Sequence, residues 1–396
     1  MNISRLRNFT SIGFSLTLLV FTIALVTTRG NAQCNTVTTG LREPLGTTLT
    51  NQGNLLVSET GTPATGSGRI SIIDSSGNRR TLLAGLPSAI NDVSEPSGPA
   101  GLFIRGRTLY VAMGVGDVGR AGPVPGTTIP TPAGPSSPLF SSVLAIQFSA
   151  NTEKTTDGFT LSPADEQTLA SGQTLRLSDS ASNGMTIRMI ADFQNYVPFP
   201  LPFFAGNVQL SNPFGLLAIE DELYVTDGGR NRVWQVDLVT GTVSTLVTFP
   251  RIPNPLFGIV PAGGPMLDAV PTGIATTGDQ LLVTLFRGVP FPPGTSTVEL
   301  IDPATGTDTP FITGLKSAID VLPVIEDGQT HYLVLQHASA GPFFGSPGQV
   351  KRFDTPSGPP TILAACLTRP TSMSLDRKTN TLYVSEYGGR IVVIAL

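Results

Sequence analysis

The sequence predicts an all-β, six-bladed β-propeller, and three observations lead to this fold class. Short apolar strands alternate with Gly-, Pro- and Asn-rich turns along most of the chain. Six openings of the Pro-x-Gly type each precede a strand of the Leu-Tyr-Val type. A four-stranded antiparallel sheet of this size cannot bury both of its faces alone, so the copies must stack around an axis.

Residues 1–32 are predicted to be a secretory signal peptide. Arg5 and Arg7 precede an apolar run over residues 12–26, and Gly30 and Ala32 have the spacing that signal peptidase prefers. The run is shorter than the roughly 20 residues that span a bilayer, which argues against a transmembrane anchor. We therefore expect cleavage after Ala32 and a secreted, periplasmic or extracellular protein without a stable membrane anchor.

The propeller is expected to occupy residues 33–396. Its third blade is the clearest copy, with Pro213-Phe-Gly215 opening the first strand and Leu223-Tyr-Val225 forming the second. Residues 233–237 and 242–249 then make the third and fourth strands. The openings of the other five blades start at Pro44, Pro99, Pro271, Ser317 (a degenerate copy) and Pro370.

The sixth blade ends one strand short. Residues 35–41 resemble the fourth strands at residues 81–86 and 311–315, yet they precede the first opening. We expect them to complete blade six. The two ends of the chain would then pair in one sheet, and no blade would keep an unpaired side.

Two insertions interrupt the repeats, at about residues 114–139 and 151–196. The first is rich in Gly, Pro, Thr and Ser and has no periodicity. The second contains residues 162–172, which have an N-cap Ser, Pro at the first helical position and Gly after the end, as expected of a short helix. It is the only helix that we expect in the mature chain. Residues 185–192 then return as the last strand of blade two.

Composition excludes several partners. Charged residues make up 13% of the chain, the formal net charge is −4, and only four lysines occur. Phosphate binding needs clustered cations, so we expect no nucleic-acid partner. No basic run offers a membrane-surface patch. We expect a monomer.

Cys34 and Cys366 are the only cysteines. An exported protein could pair them. They lie at opposite ends of the outer strands of adjacent blades. At the rise of a β-strand, this offset separates them by about 20 Å along the strand direction. A disulfide requires Cα atoms within about 7 Å, so we expect the two cysteines not to pair.

Six polar residues are predicted to face the mouth of the central channel, because the segment that enters each innermost strand lies there. They are Glu43, Glu95, Asn212, Asp268, Asp320 and Arg369. Converging carboxylate and amide oxygens could bind a hard cation. We favour the simpler alternative, a solvated acidic rim with Arg369 as its internal counter-ion.

His337 follows the second strand of blade five and is the one plausible general base in the chain. A hydrogen-bonded structural histidine is the favoured alternative. Glu59, Asp227 and Glu386 recur after the second strands of three blades, and we interpret them as acceptors for backbone N–H groups of the following turns. Residues 199–204 and 341–345 carry aromatic side chains that could line a site for a flat apolar ligand.

Several segments resemble the ScyD/ScyE family of exported propellers. They are Leu161-Ser-Pro-Ala-Asp165, Ala191-Asp-Phe193, Ser211-Asn-Pro-Phe-Gly215 and Val233-Trp-Gln-Val-Asp237. The family is named for gene clusters that make scytonemin, a sunscreen pigment deposited outside photosynthetic bacterial cells. The resemblance implies the propeller fold and an exported location, and it assigns no catalytic residues.

Residues 224–233 also resemble NHL repeats, and the blade pattern is more distantly similar to calcium- or zinc-dependent lactonases of the gluconolactonase group. That similarity implies an axial metal held by Glu, Asn and Asp side chains, for which Glu43, Asn212 and Asp268 are the candidates. Asn212 precedes Pro213-Phe-Gly215, which departs from the Pro-Asn-Gly order of those enzymes.

Two hypotheses therefore stand. The first is a non-catalytic propeller that binds a small molecule or a protein through its loop-rich face, favoured because no strong catalytic motif occurs. The second is a metal-dependent, lactonase-type hydrolase with calcium or zinc on the axis and His337 or an acid as the base. Sugar oxidation with a quinone cofactor is a weaker third alternative, since its basic ligands cannot be placed.

Overall fold

A computed structural model describes residues 33–124 and 126–396, so the predicted signal peptide lies outside the described residues. Six antiparallel sheets form the blades of a propeller, as the sequence predicted. The innermost strands of successive blades pack side by side, and the innermost strand of blade six packs against that of blade one. The ring is therefore closed.

The strands follow the blades in chain order. Strand β1 (Asn35–Thr38) comes first. Blade one contains β2 (Pro44–Leu49), β3 (Leu55–Glu59), β4 (Gly68–Ile73) and β5 (Arg79–Leu86). A short hairpin of β6 (Ala89–Ile90) and β7 (Pro96–Ser97) leads to blade two.

Blade two is the largest and is interrupted by both insertions. Its inner strands are β8 (Pro99–Arg105) and β9 (Thr108–Met113), followed by the hairpin β10 (Gly119–Ala121) and β11 (Thr128–Pro130). Strand β12 (Ser142–Phe148) precedes the second insertion, which comprises α1 (Ala150–Thr155), β13 (Phe159–Thr160), α2 (Pro163–Ala170) and β14 (Leu175–Ser178). Strand β15 (Gly184–Asp192) pairs with β12, as predicted.

The remaining blades are regular. The hairpin β16 (Tyr196–Pro198) and β17 (Val208–Leu210) precedes blade three, which contains β18 (Pro213–Ile219), β19 (Glu222–Asp227), β20 (Arg232–Asp237) and β21 (Val243–Thr248). The hairpin β22 (Ile252–Pro253) and β23 (Met266–Leu267) precedes blade four, with β24 (Pro271–Thr277), β25 (Gln280–Leu285), β26 (Ser296–Ile301) and β27 (Asp308–Leu315). Blade five contains β28 (Ala318–Glu326), β29 (Gln329–Gln336), β30 (Gly348–Phe353) and β31 (Thr361–Leu367). Blade six contains β32 (Pro370–Asp376), β33 (Thr381–Glu386) and β34 (Arg390–Ala395).

Strand β1 completes blade six. Asn35 lies opposite Val393 and Thr36 opposite Val392 in an antiparallel ladder with β34. The Leu41 N–H continues the connection by donating to Gly389 O at 3.2 Å. The predicted closure of the ring is confirmed.

The predicted helix is confirmed as α2. Ser162 is its N-cap and forms a reciprocal capping box with Asp165, while Pro163 occupies the first turn. The sequence did not anticipate the six-residue helix α1, which precedes α2 and is capped by Ser149. Among the described residues, neither helix has the length and apolarity needed to cross a bilayer.

The expectation for the cysteines was wrong, because Cys34 and Cys366 form a disulfide with their Cα atoms 6.2 Å apart. Counting residues along strands measures a separation only within one sheet. The two cysteines belong to different sheets that pack face to face, and twisted sheets do not keep their strands parallel. Bulges in the ladder between β30 and β31 shift the register further.

The core lies between the blades. Each second strand is covered on both sides by neighbouring sheets, which is why β3 is buried at every position and its sequence is mostly continuous apolar residues. Near the axis the blades approach closely, and a Cβ atom at Gly101 would overlap Phe214 O of blade three. Glycine at this place in the inner strand is therefore a packing requirement.

Buried hydroxyl groups connect neighbouring blades near the axis. Ser58 Oγ accepts from Gly46 N at 2.8 Å and donates to Ala100 O in blade two. Similar hydrogen bonds occur at three further junctions. The hydroxyl of Thr226 donates to Thr272 O, that of Thr272 to Ala318 O, and that of Thr371 to Pro44 O. These hydroxyl groups therefore give buried backbone carbonyls a hydrogen-bond partner from the neighbouring blade.

Candidate functional site

The inner strand of each blade begins where the second strand ends, so the connections between blades gather on one face of the ring. We call this the loop-rich face. Its longer segments are residues 60–67, 87–98, 114–141, 193–212, 249–270, 286–295 and 337–347. All of the sequence-predicted site residues except Asp320 lie on these segments or on the short connections before β2 and β32.

Glu43, Glu95 and Arg369 meet on this face, beside the starts of β2 and β32. Arg369 Nη2 donates to Glu95 Oε1 at 3.2 Å, and its guanidinium lies 4.4 Å from the ring centroid of Tyr387. The Tyr387 hydroxyl donates to Glu43 Oε2 at 3.0 Å. Blades one and six and the β6–β7 hairpin thus share one polar cluster, in which Arg369 forms an ion pair with Glu95.

Burial and the neighbouring charge shape the ionisation of this cluster. Partial burial and the carboxylate of Glu95 raise the pKa of Glu43, although the Tyr387 hydrogen bond and Arg369 oppose the shift. Burial and the two carboxylates raise the pKa of Tyr387 well above its usual value. Tyr387 therefore acts as a hydrogen-bond donor at neutral pH, and does not act as a base.

The backbone before the inner strands turns through the left-handed region. Glu43, Val270, Ser317 and Arg369 precede β2, β24, β28 and β32 with φ of 50°, 53°, 46° and 47°. This conformation is uncommon for residues other than glycine, and uncommonest for a β-branched residue such as Val270. The same left-handed conformation occurs in four blades, so it is a regular part of the turn by which the chain enters an inner strand.

His337 is buried beside this cluster, with 5% of its surface exposed. Its Nδ1 lies 2.9 Å from Pro370 O, and Arg369 Nε donates to its Nε2 at 3.3 Å. A carbonyl accepts and a guanidinium donates, so the proton is on Nδ1. Burial lowers the pKa of His337 to about 4, with Arg369 and Lys316 adding to the shift and the Pro370 carbonyl opposing it. These contacts match the structural interpretation of His337, because the nitrogen that a base would use is already bonded.

Aromatic rings pack around His337. The ring centroid of Phe344 lies 4.6 Å from that of His337, and Phe286 lies 5.6 Å away. Phe291 stacks on Phe344 at 4.3 Å. Residues 286–295 of blade four and 337–347 of blade five are thereby joined into one aromatic cluster on the loop-rich face.

Lys316 holds the two segments of this aromatic cluster together. Its side chain is among the most deeply buried in the chain, and Nζ donates to Phe343 O at 2.6 Å and to Phe291 O at 3.3 Å. Burial lowers the pKa of Lys316 to about 8. Sequence reasoning missed this residue, and its only signal was a lysine immediately before a degenerate opening.

Asn212 and Asp268 lie elsewhere on the face, with partners of their own. Asn212 Oδ1 accepts from Val115 N at 3.0 Å. Asp268 Oδ1 accepts from Arg251 Nε at 2.6 Å and from Asn231 Nδ2 at 2.7 Å. The structure brings neither of them into the cluster of Glu43, Glu95 and Arg369.

The register in three blades also differs from the prediction. The residues directly before the inner strands of blades two, four and five are Gly98, Val270 and Ser317. Glu95 lies in the turn of the β6–β7 hairpin, and Asp268 lies two residues earlier than expected. The connections before blades two and four are long and contain their own hairpins. Glu95 and Asp268 therefore do not lie at the position that a uniform repeat predicts.

Asp320 lies inside β28 and faces the central channel. It occupies the place that Gly46, Gly101, Gly215 and Gly273 hold in four other blades. Its carboxylate accepts from Val321 N and from Met373 N of blade six, both at 2.9 Å. Burial raises the pKa of Asp320 to about 7, against the lowering effect of these bonds. Although it lies deep in the ring, part of its surface faces the channel, which encloses about 390 Å³.

The candidate metal ligands do not fit a shared ion. Glu43, Asn212 and Asp268 each bond to different groups, as described above. Within residues 33–124 and 126–396, no group of three or more His, Cys, Asp or Glu side chains is arranged to hold a metal. The donor set that the lactonase-like similarity implies is therefore not assembled by these residues.

The repeated acids after the second strands accept hydrogen bonds from the backbone. Asp227 accepts from Gly229 N at 3.1 Å and Arg230 N at 3.0 Å in the following turn. Glu59 and Glu386 instead accept from backbone groups that precede the inner strand, Arg42 N and Thr368 N, both at 2.7 Å. Their role as acceptors is as predicted, but their donors are different.

Exposed apolar side chains concentrate on the loop-rich face. Among the described residues eleven large apolar side chains are exposed, and eight of them lie on loops of this face: Val93, Tyr196, Phe203, Phe257, Ile259, Met266, Val289 and Phe343. The three on the opposite face are Val239, Ile325 and Ile362. Residues 196–210 and 252–267 contain no charged residue. This face therefore carries most of the exposed large apolar side chains among the described residues.

Comparison with known proteins gives similarity at the level of solved structures. No family model and no curated protein matches the chain. A streptogramin B lyase is 12% identical, with a TM-score of 0.46 over 91% of this chain and 96% of the lyase chain. A putative oxidoreductase (glucose dehydrogenase) from Thermus thermophilus is 16% identical, with a TM-score of 0.48 over 92% of this chain and all of the other. At these scores the two names carry no implication for the activity of this chain.

Proposed function

We propose that this protein is an exported, non-catalytic propeller of the ScyD/ScyE type that binds a flat, largely apolar ligand on its loop-rich face. The observation that carries the proposal is the concentration of eight of eleven exposed large apolar side chains on that face. Concentration of exposed apolar side chains on one face of a soluble protein favours a binding role for that face.

The chemistry of the face favours an aromatic ligand with a few polar groups. Phe257, Ile259 and Met266 are 58%, 73% and 43% exposed on a segment without charge, so a ligand that covers them removes no charged group from water. Arg369 offers guanidinium N–H donors beyond those that bond to Glu95 and His337, whereas the single O–H of Tyr387 already donates to Glu43. Apolar walls with a few fixed polar groups are typical of small-molecule sites.

Two features support an exported location. The Cys34–Cys366 disulfide suits an oxidising compartment, since cytosolic thiols are normally kept reduced. The low share of charged residues suits a turn-rich exported protein. Detection of the mature protein in the periplasmic or culture fraction, cleaved after Ala32, tests this location.

Titration of the purified protein with a fluorescent polycyclic aromatic probe tests the binding face. The double variant Phe257→Ser/Ile259→Ser should bind about thirtyfold more weakly, because each of the two lost apolar contacts contributes on the order of 1 kcal/mol. The double variant Val239→Ser/Ile325→Ser is the matched control, since it removes equally exposed side chains from the opposite face. Equal affinities for the two variants, or no binding by the parent protein, would contradict the proposal.

The competing hypothesis is a metal-dependent hydrolase of lactonase type. It requires stoichiometric calcium or zinc in the purified protein, a melting temperature that falls with chelator, and lactone hydrolysis that is lost in His337→Gln. Observation of all three would replace the non-catalytic proposal.

A further inference from the structure

The second insertion joins blades one and two at their outer edges. Strand β13 extends blade one by parallel pairing with β5, with Phe159 opposite Leu83. Strand β14 extends blade two by pairing with β15, with Leu175 opposite Ile187. Helix α1 is anchored by Glu153, which is fully buried and accepts from Asn54 of blade one at 2.9 Å and Arg107 of blade two at 2.7 Å.

A cavity of about 400 Å³ lies between this insertion and the two blades. It is separate from the central channel and is bounded by α2, the end of β5, the turn between β3 and β4, and residues 136–137. Hydroxyl-bearing residues and one acid contribute its polar lining: Thr65, Ser88, Ser136, Ser137, Thr160 and Glu166. Leu161 and two prolines supply apolar walls.

Glu166 is the unusual member of this lining. It lies on the inner side of α2 with 7% of its surface exposed, and its side chain hydrogen-bonds Ser137. No lysine, arginine or histidine lines the cavity, and Glu166 forms no ion pair within the described residues. Asp165 on the same helix is bonded to Ser162, while Arg176 and Arg188 on the strands against which α2 packs are exposed.

An unpaired buried acid is costly to the fold. Burial raises the pKa of Glu166, and the single bond from Ser137 only partly opposes the shift. Glutamate is almost never buried without a partner, so a cation that pairs with this carboxylate would relieve an existing penalty. The negative charge of the Glu166 carboxylate makes the same cavity unfavourable for an anion.

We propose that this cavity binds a small organic molecule through a primary ammonium group that pairs with the carboxylate of Glu166. The volume lies within the range of small-molecule sites and is much larger than a single metal ion needs. The ammonium has three N–H donors, one or two for the carboxylate and the rest for hydroxyl oxygens such as that of Ser137. Leu161 and the prolines contact the apolar part of the molecule.

Isothermal titration of the purified protein tests the proposal. The probes are ethanolamine, aminobutanol and benzylamine, each compared with its matched alcohol, ethylene glycol, butanediol and benzyl alcohol. At least one amine should bind while its alcohol does not, and the affinity of that amine should weaken as the pH is lowered, because the carboxylate of Glu166 becomes protonated. Glu166→Gln should weaken amine binding at least tenfold, while Glu220→Gln, which removes an exposed carboxylate from blade three, should leave it unchanged.

Stability measurements separate loss of binding from loss of the fold. Glu166→Gln removes an acid that is penalised by burial, so its melting temperature should equal or exceed that of the parent protein at neutral pH. The proposal is overturned if no amine binds at millimolar concentration, if alcohols bind as well as amines, or if Glu166→Gln binds equally. Displacement of the amine by potassium or calcium at equal concentration would overturn it in favour of a metal-ion site.

Discussion

Replacing Asp320 with asparagine should change stability in a pH-dependent way. Protonated aspartic acid and asparagine have similar shapes, each with one oxygen that accepts and one group that donates. Both oxygens of Asp320 accept a backbone N–H, and the amide nitrogen of asparagine cannot, so the Asp320→Asn protein should start below the parent protein at low pH by a pH-independent amount. Its stability relative to the parent protein should increase as pH rises, because only the parent protein then holds a charge in the ring.

The magnitude follows from the pKa of about 7 in the folded protein against an ordinary value of 3.8. A raised carboxyl pKa means that the folded state binds the proton more tightly, so its cost is absent below the ordinary value and complete above about 7. With about 1.4 kcal/mol for each pKa unit, the ceiling is about 4 kcal/mol. Water in the channel screens part of the charge, so we expect about 1–3 kcal/mol.

Chemical denaturation at several pH values between about 5 and 8 measures this difference. The exposed acid Asp279 provides the control variant Asp279→Asn. A stability difference between Asp320→Asn and the parent protein that stays constant over this range would refute the assignment of the penalty to Asp320. So would a variant that becomes less stable as pH rises.

Further predictions concern the blade junctions and the buried charges. Cys34→Ser should lower the free energy of unfolding by about 2–5 kcal/mol, measured by denaturation, and reductant should then have no further effect. Ser58→Ala should cost about 1–3 kcal/mol, measured by melting, because two backbone groups lose their partner. Arg107→Ala should leave the buried carboxylate of Glu153 without its ion-pair partner, and limited proteolysis should then cut residues 150–183 faster. His337→Gln should lose less stability than the parent protein as pH falls from about 6.5 to about 4, because an unfolded histidine protonates in that range and buried His337 does not.

The fold could be predicted because its signals are local and repeated. Pro213-Phe-Gly215 and its copies mark the entry to an inner strand, and residues 35–41 carry the same pattern as other outer strands. The N-cap Ser162 and the following Pro163 and Asp165 define α2 within four residues. Such signals depend only on residues that are close in the sequence, so they can be recognised without knowledge of tertiary contacts.

The site could be predicted only in part, because its contacts join distant segments. Glu43 and Arg369 directly precede β2 and β32, as the repeat indicates, but Tyr387, which bonds to Glu43, has no distinguishing local pattern. Glu95 and Asp268 were displaced by hairpins whose lengths follow no repeat. The role of Lys316 could not be predicted, because it depends on hydrogen bonds to the carbonyls of Phe291 and Phe343, which belong to two other segments of the chain.

The pairing of β1 with β34 has a consequence for the order in which the molecule assembles. Cys34 and the first strand emerge from the ribosome long before their partners, which lie 332 residues later for the disulfide. These early residues must remain unpaired while five complete sheets accumulate, and the ring can close only when the final strand arrives. Premature release of a nearly complete chain would therefore leave an open arc with two reactive edges, where aggregation and wrong pairing begin.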